Sequence, residues 1–487
     1  MNLPVRVSII TICLISWANP ASSQSSPWEA ENEAGHKAYS LGHYAEAQKN
    51  YLAAIDDAKQ SAGDDPQIVT PMNNLAALYM QQGRYSDAEQ LYLQSLSIRN
   101  NMSASEDSGT VIILSNLGAL YLKEGKYPEA ESLCKRALDL RAKLHTPEDN
   151  QGSSLLSNLG TLYFVEGKYP QAETLFQSAL AIQEKVSGIE PGDLATSFNN
   201  LALVYREQAK YSEAEPYFER AIVVMDKAGK SQNPEMAALL CNWASLYESE
   251  GKYSKAMPLY EHALEIREKF FGPKHPDVAT SLNYIAELYI LEGKYSKVES
   301  LIDRAIAIRE ESLGRDNVEV SESLNNLAGL YKREHQYLKA EQSYQRAVEI
   351  LEKHFELNHP SVARELHNLG SLYIEEGKLT EAAPLLKMSL DGMQASLGPE
   401  HPDVAQVYAT LAILSLKQNG YEEAESDCQH ALEILGKSSP PNYPALIKVL
   451  DIYAAVLLKT NRKAQAELFE TRAMTYKAEF HEVSSAK

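Results

Sequence analysis

A period of 42 residues runs through this chain and leaves it few folds to adopt. The segment from Asn158 to Ile182 reads NLGTLYFVEGKYPQAETLFQSALAI. Its relatives begin at Asn116 (NLGALYLKEGKYPEAESLCKRALDL), Asn200 (NLALVYREQAKYSEAEPYFERAIVV) and Asn326 (NLAGLYKREHQYLKAEQSYQRAVEI). Self-similarity at a fixed spacing marks an architecture of stacked units. Within one unit, Leu159, Gly160 and Tyr163 share a helix stripe at i, i+1 and i+4. Gly167 follows where a helix ends in a left-handed residue, which glycine adopts without a Cβ penalty. Tyr169 and Pro170 restart the chain, and proline suits a first turn whose N–H groups lack helical partners. Ala172, Leu175, Phe176, Ala179, Leu180 and Ile182 make a second apolar stripe, and the two small alanines let antiparallel helices approach closely. Each unit is therefore a helix, a tight turn and a helix, and it buries its apolar face only by stacking on its neighbours.

The turn falls at Gly83, Gly125, Gly167, Ala209, Gly251, Gly293, His335, Gly377, Asn419 and Asn461, each 42 after the last, with Gly42 one residue out of step. These positions define eleven units and an all-α fold. His335 and Asn419 are comparatively tolerant of left-handed backbone. Ala209 is not, and costs about 1 kcal/mol there. Leu379 and Lys463 replace the turn tyrosine. The last unit, from about Pro444, loses the Asn-Leu-Gly/Ala signature, as a terminal repeat facing water should.

Leu159-Gly160, Tyr163, Gly167, Tyr169, Ala172, Phe176 and Ala179 resemble the tetratricopeptide repeat. The period is longer than the usual one of about 34 residues. With linkers such as GPKHPDVATSLN (Gly272 to Asn283) and GPEHPDVAQ (Gly398 to Gln406), the unit looks like the kinesin light chain type of that repeat. A HEAT or armadillo array fits the period but not the Gly-x-Tyr-x-x-Ala turn. The resemblance implies a right-handed superhelical solenoid of antiparallel helix pairs, about eleven units over residues 31–481, with a concave inner surface. No heptad coiled coil of the kind that joins a kinesin light chain to its heavy chain is present in the sequence, which argues against a motor adaptor.

Met1 to Ser23 reads differently. Arg6 precedes an apolar run, Val7 to Trp17; Asn19-Pro20 breaks it, and Ala21-Ser22-Ser23 offers small residues for cleavage. This is the pattern of a secretory signal peptide, and the run is shorter than the roughly 20 residues a bilayer needs. The expectation is an exported protein, periplasmic or secreted. Cys13 lacks the small residues before it that a lipid-anchored protein would show. Residues 24–30 read as a loose polar segment and 482–487 as a disordered tail. A net charge of −20 disfavours nucleic acid and anionic membranes, both of which reward clustered Lys and Arg. The mature chain keeps Cys134, Cys241 and Cys428, an odd number that makes no disulfide framework. Cys134 and Cys428 fill the slot of Phe176 and Phe218, and read as small core residues.

One column of residues stands out: Asn74, Asn116, Asn158, Asn200, Asn242, Asn326 and Asn368, all at one position of the first helix. Asparagine is a mediocre helix former, so its recurrence needs a cause. The family resemblance implies that this slot faces the concave groove, where Asn can hold the backbone of an extended peptide. A carboxamide can both donate to and accept from a peptide group. The stripe continues at i+3 and i+7 through Ala119 and Lys123, Thr161 and Val165, Ser245 and Ser249, Gly329 and Arg333, Ser371 and Glu375. The competing reading is that these amides serve packing and hydrogen bonds between units. Tyr284, with Glu287 and Leu291 on its stripe, interrupts the column as a pocket or a block, and Thr410 and Ile452 end it.

His275, His359 and His401 precede Pro in equivalent linkers. One His per unit, with no second ligand at metal spacing, makes no metal site, so these read as turn residues. Glycines mark turns, and Glu runs such as Glu213-Ala214-Glu215 belong to solvated faces. No catalytic constellation emerges. The expectation is a non-catalytic scaffold, without cofactor, that binds a partner protein or extended peptide. Action through the convex face or the array ends is the alternative.

Overall fold

The computed structural model describes residues 26–62, 66–101, 107–144, 149–437 and 441–485. Among them are 22 α-helices, two 3-10 turns (Pro66–Ile68 and Tyr295–Lys297) and no strand. The first helices of the units (A helices) are α1 (Pro27–Ser40), α3 (Val69–Gln81), α5 (Ser108–Lys123), α7 (Asn150–Val165), α9 (Pro191–Glu207), α11 (Pro234–Ser249), α13 (Pro276–Leu291), α15 (Val318–Arg333), α17 (Pro360–Glu376), α19 (Pro402–Lys417) and α21 (Tyr443–Lys459). The second helices (B helices) are α2 (Tyr44–Ala62), α4 (Tyr85–Asn100), α6 (Tyr127–Lys143), α8 (Tyr169–Gln183), α10 (Tyr211–Lys227), α12 (Tyr253–Phe271), α14 (Val298–Leu313), α16 (Tyr337–His354), α18 (Leu379–Leu397), α20 (Tyr421–Gly436) and α22 (Lys463–Ser485). Partners pack in chain order, α1 on α2 through α7 on α8 and α15 on α16 through α21 on α22, and α2, α4, α6, α16, α18 and α20 also pack on the A helix that follows.

All eleven turn positions have left-handed backbone, from Gly42 (φ 74°) to Asn461 (φ 59°). Ala209 (φ 54°) and His335 (φ 58°) hold it without glycine's freedom. The next N–H bonds the carbonyl five residues back, as Lys168 does to Tyr163 at 2.7 Å and Lys210 to Tyr205 at 2.8 Å. This closes the end of each A helix in the Schellman manner. Close approach inside a unit depends on the glycine beside the Asn column. A Cβ at Gly160 would stand 2.8 Å from the Phe176 ring, and one at Gly118 3.0 Å from the Cys134 sulfur.

The chain forms two compact units. The first comprises the described residues up to Val204 with Ala214–Trp243 and His262–Val278, and the second Tyr205–Glu213, Ala244–Glu261 and the described residues from Ala279 onward. In the first, Tyr51, Leu75, Leu78, Tyr92, Leu117 and Leu120 belong to one buried cluster. In the second, Val298, Ile302, Leu330, Leu372 and Leu386 belong to another, and Val404, Val407, Leu435 and Leu457 to a third. Cys134, Cys241 and Cys428 are buried, and none of the three is in a disulfide. Burial pushes the Cys134 and Cys428 thiols up to about 12, so both stay protonated.

The ends differ in detail from the sequence reading. α1 starts at Pro27, inside the stretch 24–30 read as loose. The Glu29 carboxylate accepts from the Ser26 N–H at 2.8 Å, proline occupies the first turn, and Trp28 is buried with its Nε1 donating to Gln67 at 3.1 Å. A capping carboxylate and a buried indole therefore begin the helix early. α22 runs on to Ser485, beyond residue 481. The signal-peptide reading of residues 1–23 and the last two residues of the tail lie outside the described residues.

The linker histidines are helix caps. Nδ1 of His275, His359 and His401 accepts the N–H two residues on, at 3.2, 3.1 and 3.1 Å. Phe271 and Phe355 stack on His275 and His359 with ring centres 4.0 and 3.7 Å apart.

Candidate functional site

With the Asn column as position 0, residues −4, 0, +3 and +7 of an A helix fall on one stripe. In the first unit the stripe amides brace neighbouring repeats. The Nδ2 of Asn74 donates to Asn32 at 3.0 Å, Asn116 to Asn73 at 3.2 Å, Asn158 to Ser115 at 3.0 Å and Asn242 to Asn199 at 2.8 Å. From Asn116 onward the acceptor sits at position −1 of an earlier A helix, 43 residues back. All four donors are buried. Asn200 is also buried; its carbonyl accepts from Asn199 at 3.4 Å while its own Nδ2 has no partner. Lys123 is the only charged stripe residue of this unit.

In the second unit Asn368 continues the ladder to Asn325 at 2.9 Å and also approaches Glu365 at 3.4 Å. Asn326 does not continue it. The Asn283 Nδ2 turns to Ser323 Oγ at 2.9 Å, and its Oδ1 is buried without a partner. Asn326 and Asn368 are half-buried, the most open members of the column. At position 410 the ladder is made by other chemistry, with His367 Nε2 2.8 Å from Thr410 Oγ1. Tyr284 stacks on Tyr260, ring centres 5.5 Å apart.

Two further couplings escaped the sequence reading. The motif tyrosine of an A helix donates to a Glu 32 residues earlier on a B helix: Tyr121 to Glu89, Tyr163 to Glu131, Tyr331 to Glu299 and Tyr373 to Glu341, at 2.6–2.8 Å. Near the end of the B helices, arginines that are buried or half-buried latch the following linker. Arg99 and Arg141 pair with Asp107 and Asp149, which cap α5 and α7. Arg309, 1% exposed, holds Ser323, Thr280, Glu322 and the Glu319 carbonyl. The 42-residue recurrence of Arg99, Arg141, Arg267 and Arg309 was the available signal.

The second unit's stripe is charged. It reads Glu322, Asn326, Gly329, Arg333 on α15; Arg364, Asn368, Ser371, Glu375 on α17; Gln406, Thr410, Ile413, Lys417 on α19; and Lys448, Ile452, Ala455, Lys459 on α21. Lys332 reaches from α15 to Ser371 (3.1 Å) and Glu375 (2.9 Å) on α17. Burial lowers His367 to about 3, so it is neutral, and raises Glu365 to about 7. Burial first, and the Lys332 charge second, pull Lys448 down to about 8. Lys332 on α15 and Lys448 on α21 are three repeats apart and still feel each other's charge. Among the described residues no three His, Cys, Asp or Glu converge as metal ligands, and no helix is long and apolar enough to cross a membrane. On the B-helix side of the first unit, a cleft of about 620 Å³ lies between α2 and α4, lined by Leu52, Ile55, Met72, Leu91 and Ile98 among others.

The tetratricopeptide repeat profile matches residues 30–101, 109–185, 152–227, 235–311, 285–353 and 361–437. The chain belongs to the tetratricopeptide repeat family. No curated protein matches it at the sequence level. Among solved structures, the repeat protein is similar to BtubC (BKLC) from P. vanneervenii, at 24% identity over 46% of this chain and 90% of that one, TM-score 0.39. It is also similar to a putative kinesin light chain with nearly identical TPR-like repeats from Podosopora anserina, at 24% identity over 42% of this chain and 97% of that one, TM-score 0.35. A Rap protein complexed with competence and sporulation factor aligns at 17% identity over 77% of this chain and all of that one, TM-score 0.51. At these identities the likenesses bear on the fold alone.

Proposed function

We propose that this repeat protein is a non-catalytic scaffold, acting outside the cytoplasm, that binds an extended segment of a partner protein along the inner stripe of its A helices. The observation that carries the reading is the open floor of that stripe. Position +3 is small in most units, and a Cβ built at Gly329 meets nothing within 4 Å. An extended segment laid across successive A helices would meet such a gap in most repeats, with Asn326 and Asn368 as the amides best placed to reach its backbone. The bracing amides of the first unit would serve it as framework. Export rests on the pattern of residues 1–23. The structural neighbour solved with competence and sporulation factor is consistent with binding on this fold.

Filling the floor tests the reading. Gly329→Leu adds bulk where there is space, and a helix interior favours leucine over glycine, so the variant should fold. Leu338→Ser, at a side chain 69% exposed on α16, is the matched control on a B helix. Partners captured from a periplasmic or secreted extract should be lost with Gly329→Leu and kept with Leu338→Ser. The cleft between α2 and α4 favours a second reading, in which the B-helix surface works. Loss through Leu52→Ser but not through Gly329→Leu would transfer function there.

A further inference from the structure

We propose that the turn between α1 and α2 clasps the linker between α12 and α13 through His275, and that a proton taken up by this histidine releases the clasp. Both segments lie in the first unit, the turn in the first repeat and the linker after the sixth.

Gly42 is the point of contact. A Cβ built there would collide with Nε2 of His275 and stand 3.1 Å from its Cδ2. At Gly251, Gly293 and Gly377, the same turn position in later repeats, a Cβ would meet nothing within 4 Å. Gly42 therefore serves a close approach of the linker as well as the left-handed backbone of its own turn. Aromatic rings gather at the contact. Tyr44 lies 6.4 Å from the His275 ring and 6.1 Å from Tyr39, and Phe271 stacks on His275 at 4.0 Å. Burial first, and the Asp277 carboxylate second, raise the Tyr39 phenol, so α1 is also felt at the start of α13.

The hydrogen bonds of His275 locate its proton. Nδ1 accepts the Asp277 N–H at 3.2 Å. The neutral ring therefore carries its hydrogen on Nε2, which is buried against Gly42 without a hydrogen-bond partner. A second proton must go to Nδ1. It breaks the cap bond and leaves an imidazolium whose Nε2–H is shut away from water, a costly state for a charge. Burial lowers the His275 pKa, the Asp277 carboxylate at 4.0 Å opposes this, and Arg267 of α12 lowers it again, with a net fall below 6.5. From α1 and α2 the facing groups are the phenols of Tyr39 and Tyr44, which supply no counter-charge. With the turn undocked the ring is hydrated and binds its proton more tightly. The clasp is therefore fully formed above the ordinary value of 6.5. It weakens as pH falls below that value, on the order of tenfold per pH unit until the docked pKa is passed.

The test measures the distance from turn to linker in the full chain. Spin labels on His43→Cys and Lys269→Cys, both exposed, report it by double electron–electron resonance. Cys13→Ser removes the one cysteine outside the described residues, and the other three are buried. At pH 8 one short distance should dominate. At pH 5 its population should fall at least tenfold in favour of longer ones, reversibly and with helicity kept. Asn317 caps α15 at the equivalent linker position, accepting from the Glu319 N–H at 2.9 Å. His275→Asn should therefore keep the cap and give the same distances at both pH values. Gly42→Asn places a side chain against the ring, at a turn position that Asn419 and Asn461 hold left-handed. It should abolish the short distance at both pH values without loss of helicity, and His359→Asn should change nothing. A short distance that persists at pH 5 in the protein with native His275 and Gly42, or a pH response that survives His275→Asn, would overturn the switch. No short distance at pH 8, or one retained by Gly42→Asn, would overturn the clasp itself.

Discussion

The same stripe of the A helices is built in two ways. In the first unit most of its amides are locked into neighbouring repeats and Lys123 alone carries charge. In the second unit the ladder loses the Asn283–Asn326 rung, the amides at 326 and 368 are half-open, and lysines and arginines line the surface. The repeat register decides where a residue sits but not what it does. An Asn is a brace where its Nδ2 meets the residue 43 back, as Asn116 meets Asn73. Asn326 makes no such bond: Asn283 donates to Ser323 and its Oδ1 is left without a partner.

The largest expected effect tests the latches. Arg309→Ala removes a buried guanidinium that serves four partners and should cost about 3–5 kcal/mol. Arg141→Ala, whose partner Asp149 is partly solvated and keeps its capping bond to Gly152, should cost about 1–3 kcal/mol. Urea unfolding, with hydrogen exchange to locate the weakened repeats, distinguishes them; equal losses would remove this difference between the units. Next comes the ladder. Asn116→Ala leaves the Asn73 carbonyl without its donor and should cost about 1–3 kcal/mol, while Asn326→Ala should fall within about 0.5 kcal/mol. A large loss at Asn326 would show that its openness has been misjudged. Ala209→Gly relieves left-handed strain and should stabilise by about 1 kcal/mol, less the entropy glycine adds to the unfolded chain.

A further effect is one of pH. The folded pKa of Lys448 lies near 8, below its ordinary 10.5, so the unfolded chain binds this proton more tightly. Its contribution to stability is present at high pH and is lost as pH falls from about 10.5 to about 8. The charged group facing it is Lys332, and His367 nearby is already neutral. Melting of the native protein relative to Lys448→Met should therefore improve between pH 8 and pH 10, and a flat difference would mean that Lys448 is freely hydrated.

Much of the fold is legible from residue spacing. The turn series predicts all eleven left-handed positions, Ala209 included, because a left-handed stop is a local requirement that each unit must meet at the same place. The start of α1 is less legible, since burial of Trp28 is a tertiary event. The Asn column is half-legible. Its recurrence marks a functional or structural need, but the choice depends on what stands at position −1 of the preceding A helix, and Asn73, Ser115 and Asn199 become acceptors only once the helices stack. The cations of the second unit's stripe are less legible, because Arg333, Lys417 and Lys459 form a column only when the A helices are set in register.

The two ladders also bear on how such a protein grows. The Asn bond from Asn116 onward looks back 43 residues and the Tyr–Glu bond 32, so both connect the same parts of adjacent repeats wherever they occur. Duplicating or deleting a whole 42-residue unit rejoins every rung, whereas an insertion of any other length within a helix breaks both ladders at once. The gene can lengthen or shorten in quanta of one repeat at little cost to folding, and each new quantum brings a fresh stripe whose residues are free to diverge.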